Sequence, residues 1–305
     1  MALDPQALEN SAERRAGALL NNSMSKAKSV IATLLFAAVC GLGQQRLLVV
    51  GGGERPPDAM KKFVEWSGGG RSRILVVTWA SGVPEESFEA LQKGFHAANA
   101  GIAEHAPERP LDAEKRARFV EQLNNATGVF FSGGDQNRIM DVLADDELLR
   151  LVKSKYDSGV PFGGTSAGAA VMSDPMMTGE ADLKILDGKK VGVRKGLGLL
   201  PGVIFDQHFL VRQRHNRLLG LMLVNPAVIG IGIDEDTAIV VQGDRFDVIG
   251  RGYVLIHDVH KASSSGGKFY FMAPGDRFDL VKREASRRSE DFKPLERVAP
   301  RKPSQ

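Results

Sequence analysis

From residue 46 onward, apolar runs of strand length alternate with longer stretches in which apolar residues recur near helical spacing. Leu47-Leu48-Val49-Val50, Ile74-Leu75-Val76-Val77 and Gly128-Val129-Phe130-Phe131 are continuous short runs, ending at Gly51-Gly52-Gly53, Thr78-Trp79 and Gly133-Gly134. Such runs suit strands buried on both faces. Residues 58–66, 85–98 and 112–123 predict helices between them, and Asp112 with Glu114 reads as a helix start. This βαβ rhythm predicts an α/β fold, a mostly parallel sheet flanked by helices on both faces. Chemistry in such sheets collects at the carboxyl ends of the strands, where residues 51–54, 133–136 and Ser166 fall.

After about residue 200 the texture changes. Val203-Ile204-Phe205, residues 228–233, Ala238-Ile239-Val240-Val241, Tyr253-Val254-Leu255-Ile256 and Phe269-Tyr270-Phe271 read as strands joined by short turns. They extend the same domain, since no linker, repeat or low-complexity stretch interrupts residues 46–284. Gly51-Gly52-Gly53 invites a dinucleotide reading, but the fingerprint needs a third glycine where Pro56 stands. Neither a phosphate-loop lysine motif nor H-E-x-x-H occurs.

The most pointed motif is Gly164-Thr165-Ser166-Ala167-Gly168. It follows Val160-Pro161-Phe162 and opens a small-residue helix, Ala169-Ala170-Val171-Met172. Strand, sharp turn and helix are the setting of a nucleophile elbow, in which small neighbours hold the serine hydroxyl clear of the backbone. A helix starting there would aim free N–H groups at the serine. The bland reading is a tight turn that packs a helix on a sheet.

Composition narrows the field. The 305 residues are 43% hydrophobic, enough for a full core. The net charge of +3 resides at the chain ends, so the body is close to neutral and offers no footprint for nucleic acid. Residues 285–305 read as a disordered basic tail. Near the other end, Ser25-Lys26-Ala27-Lys28 precedes the apolar run from Val30 to Val39, with Gly41-Leu42-Gly43 as a small-x-small cleavage candidate. That pattern reads as a signal peptide within a 1–43 extension, with Met24 as an alternative start and a secreted or periplasmic destination. The competing reading is a buried helix. The run is too short for stable membrane insertion. Cys40 is the sole cysteine, which excludes a disulfide framework. The main domain is thereby bounded at 44–284.

A serine at neutral pH needs a general base, and the base needs an orienting group. Of six histidines, His96, His105, His215, His257 and His260 read most simply as surface or capping residues. His208 ends the run Val203-Ile204-Phe205-Asp206-Gln207-His208, which would bring it to the same sheet edge as Ser166. Gly232-Ile233-Asp234-Glu235-Asp236 sets three mutually repelling carboxylates directly after a buried strand, so they must be paired or splayed into solvent. Glu235 could turn inward onto His208, and Asp234 or Asp236 could cap a turn.

Four stretches together resemble the cyanophycinases, a serine peptidase family that also contains aspartyl dipeptidases. They are Ser132-Gly133-Gly134-Asp135-Gln136, Gly164 to Ala170, Gly198-Leu199-Leu200-Pro201 with Asp206-Gln207-His208-Phe209, and Gly232 to Ala238. They stand in the family's order and span about residues 46–260. The resemblance implies a class I glutamine-amidotransferase-like (flavodoxin-like) sandwich and a serine exopeptidase that releases β-aspartyl-arginine dipeptides from cyanophycin through an acyl-enzyme, without metal or organic cofactor. It assigns Ser166 as nucleophile, His208 as base and Glu235 as orienting acid, with Glu180, beside Asp182, ranked second for that last role. Ala167 and the Gly133-Gly134-Asp135 loop, through Gly134, would supply the oxyanion hole. Arg212, Arg214 and Arg217 match the family's arginine-rich stretch and, with Gln136 and Gln207, would bind substrate. Gln213, His215 and Asn216 between the arginines, Leu210-Val211 before them, and the Glu54-Arg55-Pro56-Pro57 stretch depart from the family pattern. The alternatives are a peptidase for other acidic or isoaspartyl peptides, with a smaller closed pocket, and a non-catalytic binding protein, for which His208 would lie far from Ser166. A homodimer is compatible with the sequence, which is otherwise silent on assembly.

Overall fold

The computed structural model describes residues 45–260 and 266–287. The extension at 1–43, with its signal-peptide reading, and the tail beyond 287 lie outside the described residues. Five strands form one arm of a nine-stranded sheet: β1 (Arg46–Val50), β2 (Arg73–Val77), β3 (Ile102–His105), β4 (Gly128–Phe131) and β5 (Phe162–Thr165). They run parallel in the spatial order β1-β5-β4-β2-β3. Their connections contain α1 (Pro57–Trp66), α2 (Pro84–Ala97), α3 (Ala113–Asn125), α4 (Gln136–Val142) and α5 (Asp146–Asp157). Proline stands in the first turn of α1 and α2, where no N–H bond is lost. Asp112 caps α3 by accepting the Lys115 N–H.

Both faces of this arm are dry. Leu47, Val49, Leu75, Val77, Val129 and Phe131 join one apolar cluster with α3, α4 and α5. The alternate residues Leu48, Val50, Ile74, Val76 and Phe130 join another with α1 and α2. Period-two alternation thus explains why these strands read as unbroken hydrophobic runs.

After β5 comes α6 (Ala167–Ala170), a single turn rather than the longer helix that its small residues suggested. One turn carries little macrodipole. Next come the short pair β6 (Met176–Met177) and β7 (Val193–Arg194), then β8 (Val203–Gln207), α7 (His215–Val224) and β9 (Ile229–Ile233). The remaining strands are β10 (Thr237–Gln242), β11 (Arg245–Gly250), β12 (Val254–Asp258), β13 (Lys268–Met272), β14 (Asp276–Asp279) and β15 (Glu284–Arg287).

These late strands divide between two sheets. β10, β11, β14 and β15 continue the large sheet from β1 in antiparallel fashion, so that sheet is evenly mixed rather than mostly parallel. β13-β12-β9-β8 form a second, four-stranded sheet. One of its faces joins the main core through Phe205, Ile231 and Ile256. The other is covered by α7, with Leu218, Leu221 and Met222 against Ile204. The boundary expected at 284 falls inside a strand, because Glu284–Arg287 pairs with β14. The α/β fold with flanking helices stands. Among the described residues no helix is long and apolar enough to cross a membrane.

Candidate active site

Ser166 occupies the turn between β5 and α6 with φ 53° and ψ −113°, a conformation that L-residues avoid. Its N–H donates to the Val50 carbonyl at 3.0 Å, which fixes the turn to β1. Gly168 permits the tight packing: a Cβ there would stand 2.2 Å from the Phe131 carbonyl oxygen. The strained serine therefore projects from the shared carboxyl edge of β1, β4 and β5.

His208 follows β8, also at positive φ (49°), and its N–H donates to the Gly51 carbonyl at 2.7 Å. This bond joins the small sheet to the first strand of the large one. The His208 Nε2 lies 2.7 Å from Ser166 Oγ, and its Nδ1 lies 2.7 Å from Glu235 Oε1. A carboxylate only accepts, so Nδ1–H donates to Glu235 and the Nε2 lone pair is left for the serine hydroxyl. Burial pushes the imidazole pKa below its usual value. The Glu235 bond opposes that shift, and the charges of Arg212 and Arg214 add to it. The result is a neutral base at neutral pH.

The three adjacent acids are each given a separate partner. Asp234 Oδ1 accepts the N–H groups of Leu210 and Val211, both at 3.1 Å, and so caps the turn that follows His208. Glu235 turns onto His208. Asp236 Oδ1 accepts the Glu54 N–H at 2.8 Å and pins the turn after β1. Glu180 stands exposed between β6 and β7, so the second-ranked acid is not the partner of Nδ1.

Gly133 lies against the serine: a Cβ there would be 3.3 Å from Ser166 Cβ and 3.8 Å from Oγ. Bonds from Ser132 N–H to the Val77 carbonyl and from Asp135 N–H to the Ala80 carbonyl hold the loop in place. Among the described residues the N–H groups of Gly133, Gly134 and Ala167 have no backbone acceptor. They are the donors within the turn that could meet an oxyanion.

The residues expected to bind substrate separate. Arg217 is buried and forms a two-pronged pair with the fully buried Asp206, so it is structural, not a ligand for substrate. A lone carboxylate inside a dry strand demands such a cation. Arg214 donates to the Gln207 carbonyl at 2.7 Å and reaches Asp206 at 3.5 Å. Burial, with Arg217 close by, lowers its pKa to about 10. Arg212 is exposed, near enough for its charge to act on His208. Gln136 is buried and donates to the Met177 carbonyl at 2.7 Å, so it anchors β6. Gln207, also buried, ends β8 directly before the base.

Two histidines differ from the surface role expected of them. His257 is buried in β12 between Phe209 and Phe269. His105 ends β3, bonds Thr78 Oγ1 at 2.7 Å through Nε2 and stacks on Phe88. Sequence reasoning missed Gly52, whose absent side chain makes room for the His208 ring, and Asp206. Their signals were a glycine run without a completed fingerprint and a charge within an apolar strand. Among the described residues no group of three His, Cys, Asp or Glu side chains is placed to hold a metal ion.

Residues 47–249 match the family model for Peptidase family S51. The chain is 35% identical to a cyanophycinase from Geminocystis herdmanii over 217 residues, covering 70% of this chain and 80% of that protein. It is 31% identical to a cyanophycinase from Nostoc sp. over 256 residues, covering 78% and 86%. A peptidase E from Shewanella amazonensis is 27% identical over 59% of this chain and 75% of its own length. Among solved structures, a peptidase from an acI-B1 Actinobacterium shares the fold with a TM-score of 0.60 at 24% identity, covering 78% of this chain and 98% of that one.

Proposed function

Given that the chain belongs to peptidase family S51 and is a serine peptidase, we propose that it is an exopeptidase that hydrolyses cyanophycin to β-aspartyl-arginine dipeptides, with Ser166, His208 and Glu235 as its catalytic residues. One observation carries the assignment of residues: the continuous hydrogen-bonded chain from Ser166 Oγ through His208 to Glu235. The 2.7 Å contact also removes the condition that would have favoured a non-catalytic scaffold.

The geometry supports a two-step reaction. Ser166 Oγ attacks the scissile carbonyl while His208 Nε2 takes the hydroxyl proton. The tetrahedral oxyanion is met by N–H groups of Ala167 and the Gly133-Gly134 turn, one such donor being worth on the order of a hundred- to a thousand-fold in rate. The C–N bond then breaks, and His208 returns the proton to the departing amine. Water, deprotonated by the same nitrogen, attacks the acyl-serine ester and frees the acid and the hydroxyl. Glu235 holds the imidazole tautomer and stabilises its cation throughout.

Each substrate unit carries a free carboxylate and a guanidinium. Arg212, exposed near His208, and Arg214, with one nitrogen committed to Gln207, are the cations for the carboxylate. Arg217 is withdrawn from that role by Asp206. The basic and apolar run at 25–39 supports export, which we likewise propose; N-terminal sequencing that finds a start near Gln44 upholds it, and retention of Met24 ends it.

The test is dipeptide release from purified cyanophycin by wild type and by Ser166→Ala. Release by the wild type alone supports nucleophile and substrate together. Labelling of Ser166 by a serine-reactive phosphonate without release keeps the hydrolase and discards the polymer.

A further inference from the structure

The sequence Glu54-Arg55-Pro56-Pro57 takes no part in the chemistry above, yet it lines two adjoining hollows. The first, about 420 Å³, is bounded by α1 and α2 and includes Glu54, Arg55, Asp58 and Lys61 in its lining, with Met60 and Ala98 among its apolar walls. That size lies within the range of small-ligand sites, roughly 300–1,000 Å³. The second, about 190 Å³, shares Glu54, Arg55 and Asp58 and continues to Asp236 and Arg251. The two form one groove that starts beside the acid triplet, since Asp236 adjoins Glu235 and accepts the Glu54 N–H.

The walls carry charges of both signs, and those of Glu54, Arg55, Asp58, Lys61 and Arg251 are weakly committed. Arg55 is half-buried, and among the described residues its guanidinium donates only to the Ala90 carbonyl, at 3.4 Å. Glu54 and Arg251 approach no closer than 3.9 Å with 81% and 80% of their side chains exposed. Asp58 and Lys61 are exposed, and neither forms an ion pair among the described residues. Pro56 and Pro57 fix the backbone torsions beside Arg55, so that cation is presented with little loss of freedom. Burial lowers the Arg55 pKa, and the charge of Glu54 opposes that shift.

We propose that this groove is a second, non-catalytic binding site for the polymeric substrate, taking a unit that carries one carboxylate and one guanidinium. The carboxylate would meet Arg55, with Arg251 at the groove's inner end, and the guanidinium would meet Glu54 and Asp58. A purely anionic ligand would face three acids along the same path and is disfavoured. A second grip on the polymer raises the local concentration of chain ends, which matters for an enzyme that removes one small unit per turnover. The inference rests on the polymer being the substrate.

The experiment compares KM for the polymer with KM for a fragment of two β-aspartyl-arginine units, using the full chain. Arg55→Gln is expected to raise the ratio of the two about tenfold, the loss of one charge-assisted hydrogen bond. Arg251→Gln, at a position with 80% of its side chain exposed, should raise it in the same direction. A second readout is co-sedimentation of the Ser166→Ala protein with polymer granules, which the added Arg55→Gln change should weaken by a similar factor. Polymer turnover by the wild type with both ratios within twofold of unity, relative to wild type, overturns the groove alone. No polymer turnover by the wild type overturns the substrate reading and the groove with it.

Discussion

Gly52 and His208 are in direct steric register: a Cβ on Gly52 would stand 2.2 Å from His208 Cε1 and 2.6 Å from Nε2. The glycine also has φ 118°, which L-residues rarely adopt. The turn after β1 thus forms one wall of the slot in which the imidazole meets Ser166. Gly52→Ala is expected to push the ring off the serine and to lower kcat on the order of a hundredfold, the cost of a misplacement near 1 Å. Circular dichroism should show the fold retained. Activity within threefold of wild type would show that the slot can yield.

Glu235 and Glu180 are separated by a pair of substitutions. Glu235→Gln replaces the acceptor at His208 Nδ1 with an amide that favours the wrong tautomer. The expected loss in kcat is on the order of 10³ to 10⁴. Glu180→Gln, at an exposed position between β6 and β7, should stay within twofold. The opposite ranking would assign the orienting role to Glu180.

How much of this was legible depends on whether the determinant is local. Ser166 was, because a strained turn needs small neighbours on both sides, and those are adjacent in sequence. The division of labour among Asp234, Glu235 and Asp236 was legible in outline, but the partners of the two aspartates were not: they are a turn at 210–211 and the N–H of Glu54. Arg214 and Arg217 stand three apart in sequence, a spacing that does not say which of them faces the core. The buried Asp206 decides that, from another strand. The Gly243-Asp244 turn joins β10 to its antiparallel neighbour β11, and nothing local assigned β12 and β13 to a second sheet. His257 read as a surface or capping residue because the strand's extension to Asp258 depends on its pairing with β13.

Asp206 carries two cations in a dry interior, Arg217 through a two-pronged bond and Arg214 at 3.5 Å. Removing one partner from such a cluster leaves charge buried without compensation. Asp206→Asn is expected to lower unfolding stability by about 3–5 kcal/mol in urea titrations. Arg214→Ala should instead raise KM more than it lowers kcat, since its remaining nitrogens are the ones proposed to serve substrate. An unchanged KM would remove Arg214 from the binding site.

His257 predicts a dependence of stability on pH. Among the described residues its buried Nδ1 has no hydrogen-bond partner, and burial, helped by His215, lowers its pKa to about 4. Unfolded, the ring titrates near 6.5. Between those values the unfolded chain holds the proton and the folded chain does not, so stability falls as pH is lowered through this window. The full effect is about 3 kcal/mol. Comparing wild type with His257→Asn in urea at pH 7.5 and pH 4.5 should show a markedly shallower loss in the variant. Equal losses would place the titrating group elsewhere.

His208 sets the pH dependence of activity in the same sense for a different reason. The base must be neutral to accept the Ser166 proton, so kcat/KM falls as pH drops through the pKa of the folded enzyme. Burial puts that midpoint below 6.5, with Glu235 opposing and the Arg212 and Arg214 charges contributing. Arg212 is exposed, so its removal leaves the core intact. Arg212→Ala takes away a positive charge that disfavours the imidazolium, and the acid limb should therefore move to higher pH. That shift is separable from any loss of substrate affinity, because it appears in the midpoint of the profile and not in its plateau. A midpoint that moves to lower pH, or stays in place, would mean that the Arg212 charge does not reach the base.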